Sequence, residues 1–300
     1  MLHTFRLHEP TTPEEASRIL SDLGEDAGVY AGGTELLLAM KQGLLRYRHL
    51  VNIKPIGLAG IGCDGGSGCL RIGAAATHRS VEHSPVVRSR FPMIAEMEAH
   101  VANVRVRATG TVGGNLCFAE PHSDVATVLL LHDAAVRIHG TSGRRRVALA
   151  EFLVDAYTTC LVPGDIVLEV EVAPLPAVAG ACYQKFAFLE RPSVGVGTVL
   201  IPTPDRACIA EARLAVGCVG GTPFRVREAE EALRGAPFAD DPFREAVQSA
   251  ARALRARCDP ASDLYGSREY KRHLAGVLAR RTAAEARRRL LTGEGAHAGA

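Results

Sequence analysis

A glycine-rich turn, Ala31-Gly32-Gly33-Thr34-Glu35, follows a short apolar run from Val29 and precedes a predicted helix. A second turn, Thr111-Val112-Gly113-Gly114-Asn115, follows the apolar run between Val101 and Val106. Glycine has no Cβ, so the main chain at such turns approaches an anion closely and directs its N–H groups at it. Taken singly, each turn is equally well explained as a tight structural turn. Taken together they indicate a site for one bulky diphosphate, which two loops surround better than one.

Polar side chains near the two turns suit the same ligand chemistry. Thr34, Thr111 and Asn115 add short donors for phosphate oxygens. Asp124 follows the second turn, and a ribose hydroxyl needs such an acceptor. Helix capping explains Asp124 as well, and the two roles are compatible.

The composition limits the classes of function. The 300 residues are 47% hydrophobic and 23% charged, enough to bury a core as two domains or one divided domain. A formal net charge of +2 gives no general electrostatic case for nucleic acid. No stretch reaches the ~18 continuous apolar residues of a membrane helix, and the N-terminus lacks a secretory hydrophobic region. We therefore expect a cytoplasmic protein with no integral membrane segment and no nucleic-acid partner.

The cysteines and histidines do not form a recognisable metal or catalytic pattern. None of the eight cysteines forms a C-x-x-C pair, and nothing joins Cys63 and Cys69 to complete four ligands. We expect reduced cysteines and no metal site in this chain. We assign no catalytic residue, and the histidines near the motifs are expected to be surface or hydrogen-bonding residues: His78, His83, His100 and His122.

The N-terminal pattern predicts a helix and then a β-α-β unit. The helix has Thr12 as its cap and Pro13 at its first position, and it ends at Gly24. The glycine turn then lies at the strand-to-helix junction of three predicted elements: strand 29–31, helix 35–42 and strand 49–53.

Residues 57–68 are predicted to be a flexible surface loop. Their stretch Gly60-Ile61-Gly62-Cys63-Asp64-Gly65 matches G-x-G-x-x-G by letter, but a strand follows where a Rossmann site needs a helix. The next predicted elements are strand 70–74, helices 91–102 and 125–132, hairpin strands 135–139 and 144–149, and strand 166–172. Prolines and a glycine then place a domain boundary near residue 177. Beyond it we predict strands 183–188, 195–201 and 209–219, and helices beginning near Arg225, Pro242 and Ser267.

Three stretches of this sequence resemble the flavin-binding signatures of the molybdenum hydroxylases: residues 31–34, 108–115 and 121–124. Residues 266–274, Gly-Ser-Arg-Glu-Tyr-Lys-Arg-His-Leu, are similar to the C-terminal domain of that family's flavin subunit. Over nearly its whole length the chain resembles the family's separate medium FAD subunit, as found in bacterial carbon monoxide dehydrogenase and xanthine dehydrogenase.

The resemblance implies an α+β fold. Residues 1–176 would form a two-subdomain FAD-binding domain of the PCMH type, with subdomains at about 1–56 and 57–176. A smaller α+β C-terminal domain would occupy residues 177–292, followed by a disordered tail at 293–300.

The resemblance also implies roles for individual residues around a noncovalent FAD. The two turns would wrap its diphosphate through Ala31, Gly32, Gly33, Thr34, Glu35, Thr111, Gly113, Gly114 and Asn115. Asp124 would face the ribose, and Val167 or Leu168 would line the adenine or flavin pocket. Lys185 would lie beside the isoalloxazine, where a cation stabilises the anionic reduced form. A solvent-facing strand lysine is the alternative for Lys185.

The sequence departs from some relatives where an aromatic ring would shield the flavin. Ser193 stands there, and it cannot stack, which leaves the flavin shielding and the electron acceptor open. No insertion carrying four cysteines is present, which argues against the variant with an extra 4Fe–4S cluster.

The function that the resemblance implies is electron transfer within a larger enzyme. A large partner would hold the molybdopterin cofactor that oxidises the substrate, and a small partner would hold 2Fe–2S clusters, in a dimer of heterotrimers. This chain would pass electrons from those clusters to NAD, O2 or another acceptor. Two alternatives remain open: a self-sufficient FAD-dependent oxidase or dehydrogenase of a small molecule, and a nonredox nucleotide-binding scaffold that has lost FAD.

Overall fold

The computed structural model of the protein describes residues 2–188 and 190–294. Its strands are β1 (Arg6–His8), β2 (Ala27–Tyr30), β3 (His49–Asn52), β4 (Ile61–Cys63), β5 (Leu70–Gly73), β6 (Ala135–Gly140), β7 (Gly143–Ala148), β8 (Leu153–Asp155), β9 (Thr158–Thr159), β10 (Ile166–Val172), β11 (Gly180–Ala187), β12 (Pro192–Pro202), β13 (Ile209–Gly217) and β14 (Phe224–Arg225). Its α-helices are α1 (Pro13–Leu23), α2 (Leu36–Lys41), α3 (His78–His83), α4 (Pro85–Arg90), α5 (Pro92–Glu98), α6 (Val104–Thr109), α7 (Val112–Phe118), α8 (Asp124–Leu131), α9 (Leu149–Phe152), α10 (Arg227–Leu233), α11 (Asp240–Arg257) and α12 (Arg268–Thr292). This mixture of helix and strand confirms the predicted α+β class.

The chain forms two compact units, and it passes between them more than once. Of the described residues, the first unit contains 2–87, 98–120 and 133–173, and the second contains 88–97, 121–132, 174–188 and 190–294. The predicted boundary near residue 177 stays a prediction about sequence domains. Of the predicted tail, residues 295–300 lie outside the described part of the chain. No helix among the described residues combines the length and apolar character of a membrane span.

The first unit begins with the predicted helix and β-α-β unit. Thr12 caps α1 by accepting a hydrogen bond from the Glu15 N–H at 3.1 Å, and Gly24 ends it at a φ of 53°. Strands β2 and β3 are parallel, so α2 is the crossover between them. Strand β1 joins the other edge of β3 and was not predicted, because three half-exposed residues give too short a pattern. The first glycine turn leaves the carboxyl end of β2.

The second sheet of this unit has the order β4-β5-β10-β6-β7 and is antiparallel. The prediction of a flexible surface loop at 57–68 is wrong at its centre, because Ile61–Cys63 pairs with Leu70–Ile72 as a hairpin. This strand was not predicted, because its alternation of side chains is short and lies in a glycine-rich stretch. The predicted helix 91–102 is also shorter, ending at Glu98. A new helix starts at Val104, where the Asn103 side chain accepts the Arg105 and Val106 N–H groups.

The second unit is a four-stranded antiparallel sheet, β11-β12-β13-β14, with helices on both faces. Side chains such as Val194 and Val196 on β12 pack into a core with α10, α11 and α12. On the opposite face α8 approaches a stripe of three glycines. A Cβ on Gly197 would collide with Leu131, and one on Gly217 would collide with the Thr127 hydroxyl. The third, Gly195, leaves room for the hydroxyl of Tyr183. These absent side chains allow α8 to lie close to the sheet.

Candidate functional site

The first glycine turn is shaped by Gly33, which has a φ of 72°. This left-handed conformation is unfavourable for residues with a Cβ. The turn leads directly into α2, where the Leu37 N–H donates to the Gly33 carbonyl at 3.0 Å. Gly32 is buried, and Gly33 and Thr34 are half-buried.

The backbone N–H groups of this turn have no protein acceptor. Among residues 2–188 and 190–294, no main-chain or side-chain atom accepts a hydrogen bond from the N–H of Gly32, Gly33 or Thr34. Such donors in a half-buried turn are normally satisfied by water or by a ligand. Successive N–H groups at a glycine turn are the arrangement that holds an anion such as phosphate.

The second turn differs, because its amides are engaged within the protein. Thr111 is the N-cap of α7, and its hydroxyl accepts the Gly114 N–H at 3.1 Å. Its carbonyl accepts the Asn115 N–H at 2.9 Å. The N–H groups of Val112 and Gly113 donate to the carbonyls of Ala76 and Ala74, at 3.0 and 3.1 Å. Gly113 and Gly114 therefore belong to a helical first turn that is tied to the neighbouring main chain.

The structure brings the two turns into contact. A Cβ built on Gly32 would collide with the Thr109 carbonyl oxygen and stand 2.8 Å from the Gly110 Cα. From the other side, a Cβ on Gly110 would be 3.3 Å from the Thr34 hydroxyl. Close approach of the two backbones thus depends on glycine at both positions. This packing could not be inferred from the sequence, because residues 32 and 110 are distant in the chain.

Val167 and Leu168 lie in the same unit, on β10. The Leu168 carbonyl accepts the Ala74 N–H at 2.9 Å, and Ala74 in turn accepts from Gly113. A register shift between Val167 and Glu169 interrupts the pairing of β10 with β6 at this point. Val167 is buried and Leu168 is half-buried. Two successive main-chain hydrogen bonds, through Ala74, therefore connect Leu168 to the second turn.

Asp124 and Lys185 lie in the second unit and contact each other. The Lys185 Nζ donates to Asp124 Oδ2 at 2.6 Å, and the lysine side chain is only 15% exposed. Lys185 is therefore not a solvent-facing strand lysine. Asp124 is the first residue of α8, whose N-cap is Ser123 without a side-chain cap hydrogen bond. The assignments of Asp124 to the ribose and of Lys185 to the isoalloxazine stay predictions.

Tyr183 completes this cluster and was missed in the sequence. Its hydroxyl donates to Asp124 Oδ1 at 2.5 Å. Burial, reinforced by the negative charge of Asp124, raises the pKa of Tyr183 well above its ordinary value, so the phenol stays a donor. The available signal was the period-2 spacing of Tyr183 and Lys185, which places both side chains on one face of β11.

Ser193 is fully buried on β12, next to a register shift in the pairing with β11. Its hydroxyl has no hydrogen-bond partner among the described residues. Three of the eight cysteines, Cys182, Cys218 and Cys258, are buried, and the other five are half-buried. Burial raises the pKa of the Cys117 thiol to about 12, which makes it a poor nucleophile and metal ligand. No group of three or more potential metal ligands occurs in the part of the chain that the structure describes.

Comparison with known proteins identifies the family of the chain. Residues 3–176 match the family "FAD binding domain in molybdopterin dehydrogenase", and residues 192–286 match "CO dehydrogenase flavoprotein C-terminal domain". The chain is 31% identical to the carbon monoxide dehydrogenase medium chain of Hydrogenophaga pseudoflava, over 92% of this chain and 95% of that one. It is 30% identical to the 6-hydroxypseudooxynicotine dehydrogenase complex subunit alpha of Paenarthrobacter nicotinovorans, over 91% of each.

A solved structure has the same fold as this chain. A chain of the carbon monoxide dehydrogenase from Hydrogenophaga pseudoflava, in a form lacking the Mo-pyranopterin moiety of its cofactor, superposes with a TM-score of 0.90 at 33% identity. The match covers 96% of this chain and 99% of that one. This chain belongs to the family of FAD-binding subunits of the molybdopterin dehydrogenases.

Proposed function

We propose that this FAD-binding oxidoreductase subunit transfers electrons within a molybdenum-containing hydroxylase or dehydrogenase. A large partner subunit would carry the molybdopterin cofactor at which the substrate is oxidised. A small partner would carry 2Fe–2S clusters, and this chain would deliver the electrons to NAD, O2 or another acceptor. The proposed assembly is a dimer of heterotrimers. The relatives support this proposal, since their names describe them as a medium chain and as a subunit of a dehydrogenase complex.

The observation that carries the proposal is the set of unengaged N–H groups at the first turn. Gly32, Gly33 and Thr34 present three successive donors in a half-buried turn. This arrangement suits the diphosphate of FAD and gives an apolar or cationic ligand nothing to bind. The absence of Cβ atoms at Gly32 and Gly110 lets the two backbones pack against each other, which supports the shape of the first turn. The residues present therefore fit the cofactor that the family binds.

The residues of this chain would position the cofactor and adjust its redox properties, and they would not react themselves. When bound, FAD supplies the redox chemistry, accepting and releasing electrons one or two at a time. The first turn would hold the diphosphate, and the second turn would fix the first through backbone packing. Asp124 keeps the ammonium group of Lys185 in one orientation, and Tyr183 does the same for Asp124. No general base is required of this chain, which agrees with the absence of an assigned catalytic residue.

The substrate of the whole enzyme is not expected to contact this chain. Relatives at 31% and 30% identity carry names that refer to carbon monoxide and to 6-hydroxypseudooxynicotine, two unrelated molecules. Such similar chains serving different substrates support a shared electron-transfer role. We therefore place substrate recognition in the large partner.

The test is purification of the native assembly and of the chain alone. We expect the native preparation to contain two further subunits with iron and molybdenum, and one FAD per chain that denaturation releases. Steady substrate turnover by the isolated chain without metals would instead support a self-sufficient oxidase. A colourless chain that stays colourless after incubation with FAD would support the alternative of a nonredox nucleotide-binding scaffold that has lost FAD.

A further inference from the structure

A buried histidine–carboxylate pair lies beside the contact between the two turns. The Nδ1 of His78 is 2.7 Å from Glu98 Oε2, and the two side chains are 3% and 1% exposed. His78 is the first residue of α3, and Glu98 is the last residue of α5. Both belong to the first unit.

His78 is attached directly to the second turn. Its N–H donates to the Gly110 carbonyl at 3.1 Å, and Thr77 forms an antiparallel bridge with Thr111. The position that a Cβ would take on Gly110 is 3.3 Å from the His78 Cδ2 and 3.3 Å from the Thr34 hydroxyl. The imidazole edge and the Thr34 side chain of the first turn therefore both pack against residue 110, where the Val106 carbonyl oxygen, at 2.9 Å, is closer still.

The pair leaves one ring nitrogen available. Nδ1 is engaged by Glu98, whereas Nε2 has no hydrogen-bond partner among the described residues. A carboxylate at Nδ1 fixes the ring orientation, an arrangement by which proteins direct the other ring nitrogen at a ligand. Burying such a pair contributes little to stability compared with an apolar pair of similar volume. A binding role explains its presence better than a stabilising one.

We propose that His78, oriented by Glu98, is an additional ligand of the FAD diphosphate. In the proposed complex, Nε2 of His78 would donate a hydrogen bond to a phosphate oxygen beside the open N–H groups of Gly32, Gly33 and Thr34. The charge-assisted hydrogen bond would add to the neutral donors of the turn. This inference rests on the proposed function, because it assumes that the first turn holds the diphosphate.

The test uses His78→Asn and Glu98→Gln in the full-length chain, with His83→Asn as the matched control. Asparagine at 78 retains a donor near the Nδ1 position for Glu98 but removes the Nε2 end. His83 lies at the other end of the same helix and is 49% exposed. FAD affinity is measured by titrating the flavin-free chain, and the bound diphosphate is observed by 31P NMR.

We expect His78→Asn to weaken FAD binding about tenfold and Glu98→Gln about threefold, as for loss and misorientation of one charge-assisted bond. Both variants should shift a phosphorus resonance of bound FAD while leaving the flavin absorption spectrum unchanged. His83→Asn should match the wild type. If His78→Asn does not fold, Glu98→Gln decides alone.

Unchanged affinity and unchanged phosphorus resonances in the folded variants would overturn the inference. Equal perturbation of the flavin spectrum and the phosphorus signals would also overturn it, because it would indicate general structural damage. Failure of the proposed function is distinguishable, since the wild-type chain itself would then not bind FAD.

Discussion

The two glycine-rich turns look equivalent in sequence, yet their backbone amides have different partners. At the first turn, the N–H groups of Gly32, Gly33 and Thr34 meet no protein acceptor in the described residues. At the second, the N–H groups of residues 112–115 all donate to protein oxygens. Only the first turn therefore has open donors for the proposed diphosphate, whereas the N–H groups of the second tie a helix to the neighbouring main chain. The comparison shows that a Gly-Gly pair alone does not distinguish a ligand cradle from a structural joint.

The largest effect is expected for Gly33→Val. Valine at a φ of 72° is strained, and its Cβ would stand 2.5 Å from a ring carbon of Tyr30. The turn must rearrange, so its N–H groups no longer converge. We expect FAD affinity to fall at least about 100-fold, equivalent to about 2.7 kcal/mol. The measurement is FAD per polypeptide after gel filtration.

Gly43→Val is the matched control for that prediction. Gly43 has a φ of 75°, but a Cβ there meets nothing within 4 Å. It should lose a similar amount of backbone stability and keep its FAD. Normal flavin content in Gly33→Val would contradict the cradle role of the first turn.

Gly113→Ala tests whether the second turn is a structural joint. The new Cβ would stand 2.6 Å from the Ala74 carbonyl oxygen and 2.7 Å from its Cα, which are backbone atoms that cannot rotate away. We expect the free energy of unfolding to fall by about 2–3 kcal/mol, as for overpacking. Urea denaturation measures it. A variant that keeps its stability but loses FAD would show that this backbone binds the cofactor.

Asp165→Asn is expected to lower the free energy of unfolding without changing the affinity for FAD. Arg145 donates to both carboxylate oxygens of Asp165, at 2.7 and 2.5 Å, and Val162 donates at 2.8 Å. Burial alone would raise the pKa of Asp165, but the Arg145 hydrogen bonds hold it below its ordinary value. Arg145 is 40% exposed, so breaking this ion pair should cost less than breaking a fully buried one. We expect the free energy of unfolding to fall by about 2 kcal/mol at neutral pH.

The pH dependence of that variant has a definite sign. A carboxyl whose pKa is lower in the folded protein contributes stability above its unfolded pKa of about 4, and this contribution is lost as the pH falls through the folded value. Wild-type stability should therefore decline more steeply below about pH 4 than that of Asp165→Asn. Parallel pH profiles from thermal unfolding would refute this, and FAD affinity at pH 7 should be equal in both.

The smallest effect is expected for Thr111→Val. The substitution removes the hydroxyl that accepts the Gly114 N–H and thus the cap of α7. Loss of an N-cap costs about 1 kcal/mol. We expect FAD affinity to change by less than about threefold, as determined by fluorescence titration. A much larger loss, at preserved stability, would mean that the hydroxyl contacts the diphosphate directly.

Sequence patterns predicted most of the regular structure, because they are local. Thr12 and Gly24 bound the first helix where capping rules place them, and the alternation at 166–172 is a strand. Patterns failed where the signal was short or mixed with glycine, as at Ile61–Cys63. They also failed near Asn103, because α5 ends at Glu98 and Asn103 caps a separate helix that begins at Val104.

The site was only partly accessible to the same reasoning. The sequence singled out both turns, Asp124 and Lys185 as polar or glycine positions with a defined chemistry. It missed Tyr183, and it did not reveal the contact of His78 with Glu98, because their partners are distant in the chain. Glu98 is 20 residues from His78, and Tyr183 is 59 residues from Asp124.

The sequence by itself determined the local elements, the positions of the glycine turns and the resemblance to a flavin-binding family, since these depend on neighbouring residues. Only the tertiary structure decided which amides stay open. That choice depends on whether an oxygen from elsewhere in the chain, such as those of Ala74 and Ala76, lies within hydrogen-bonding distance. A hydrogen bond requires an acceptor within about 3 Å, and such proximity is a property of the folded chain rather than of a motif.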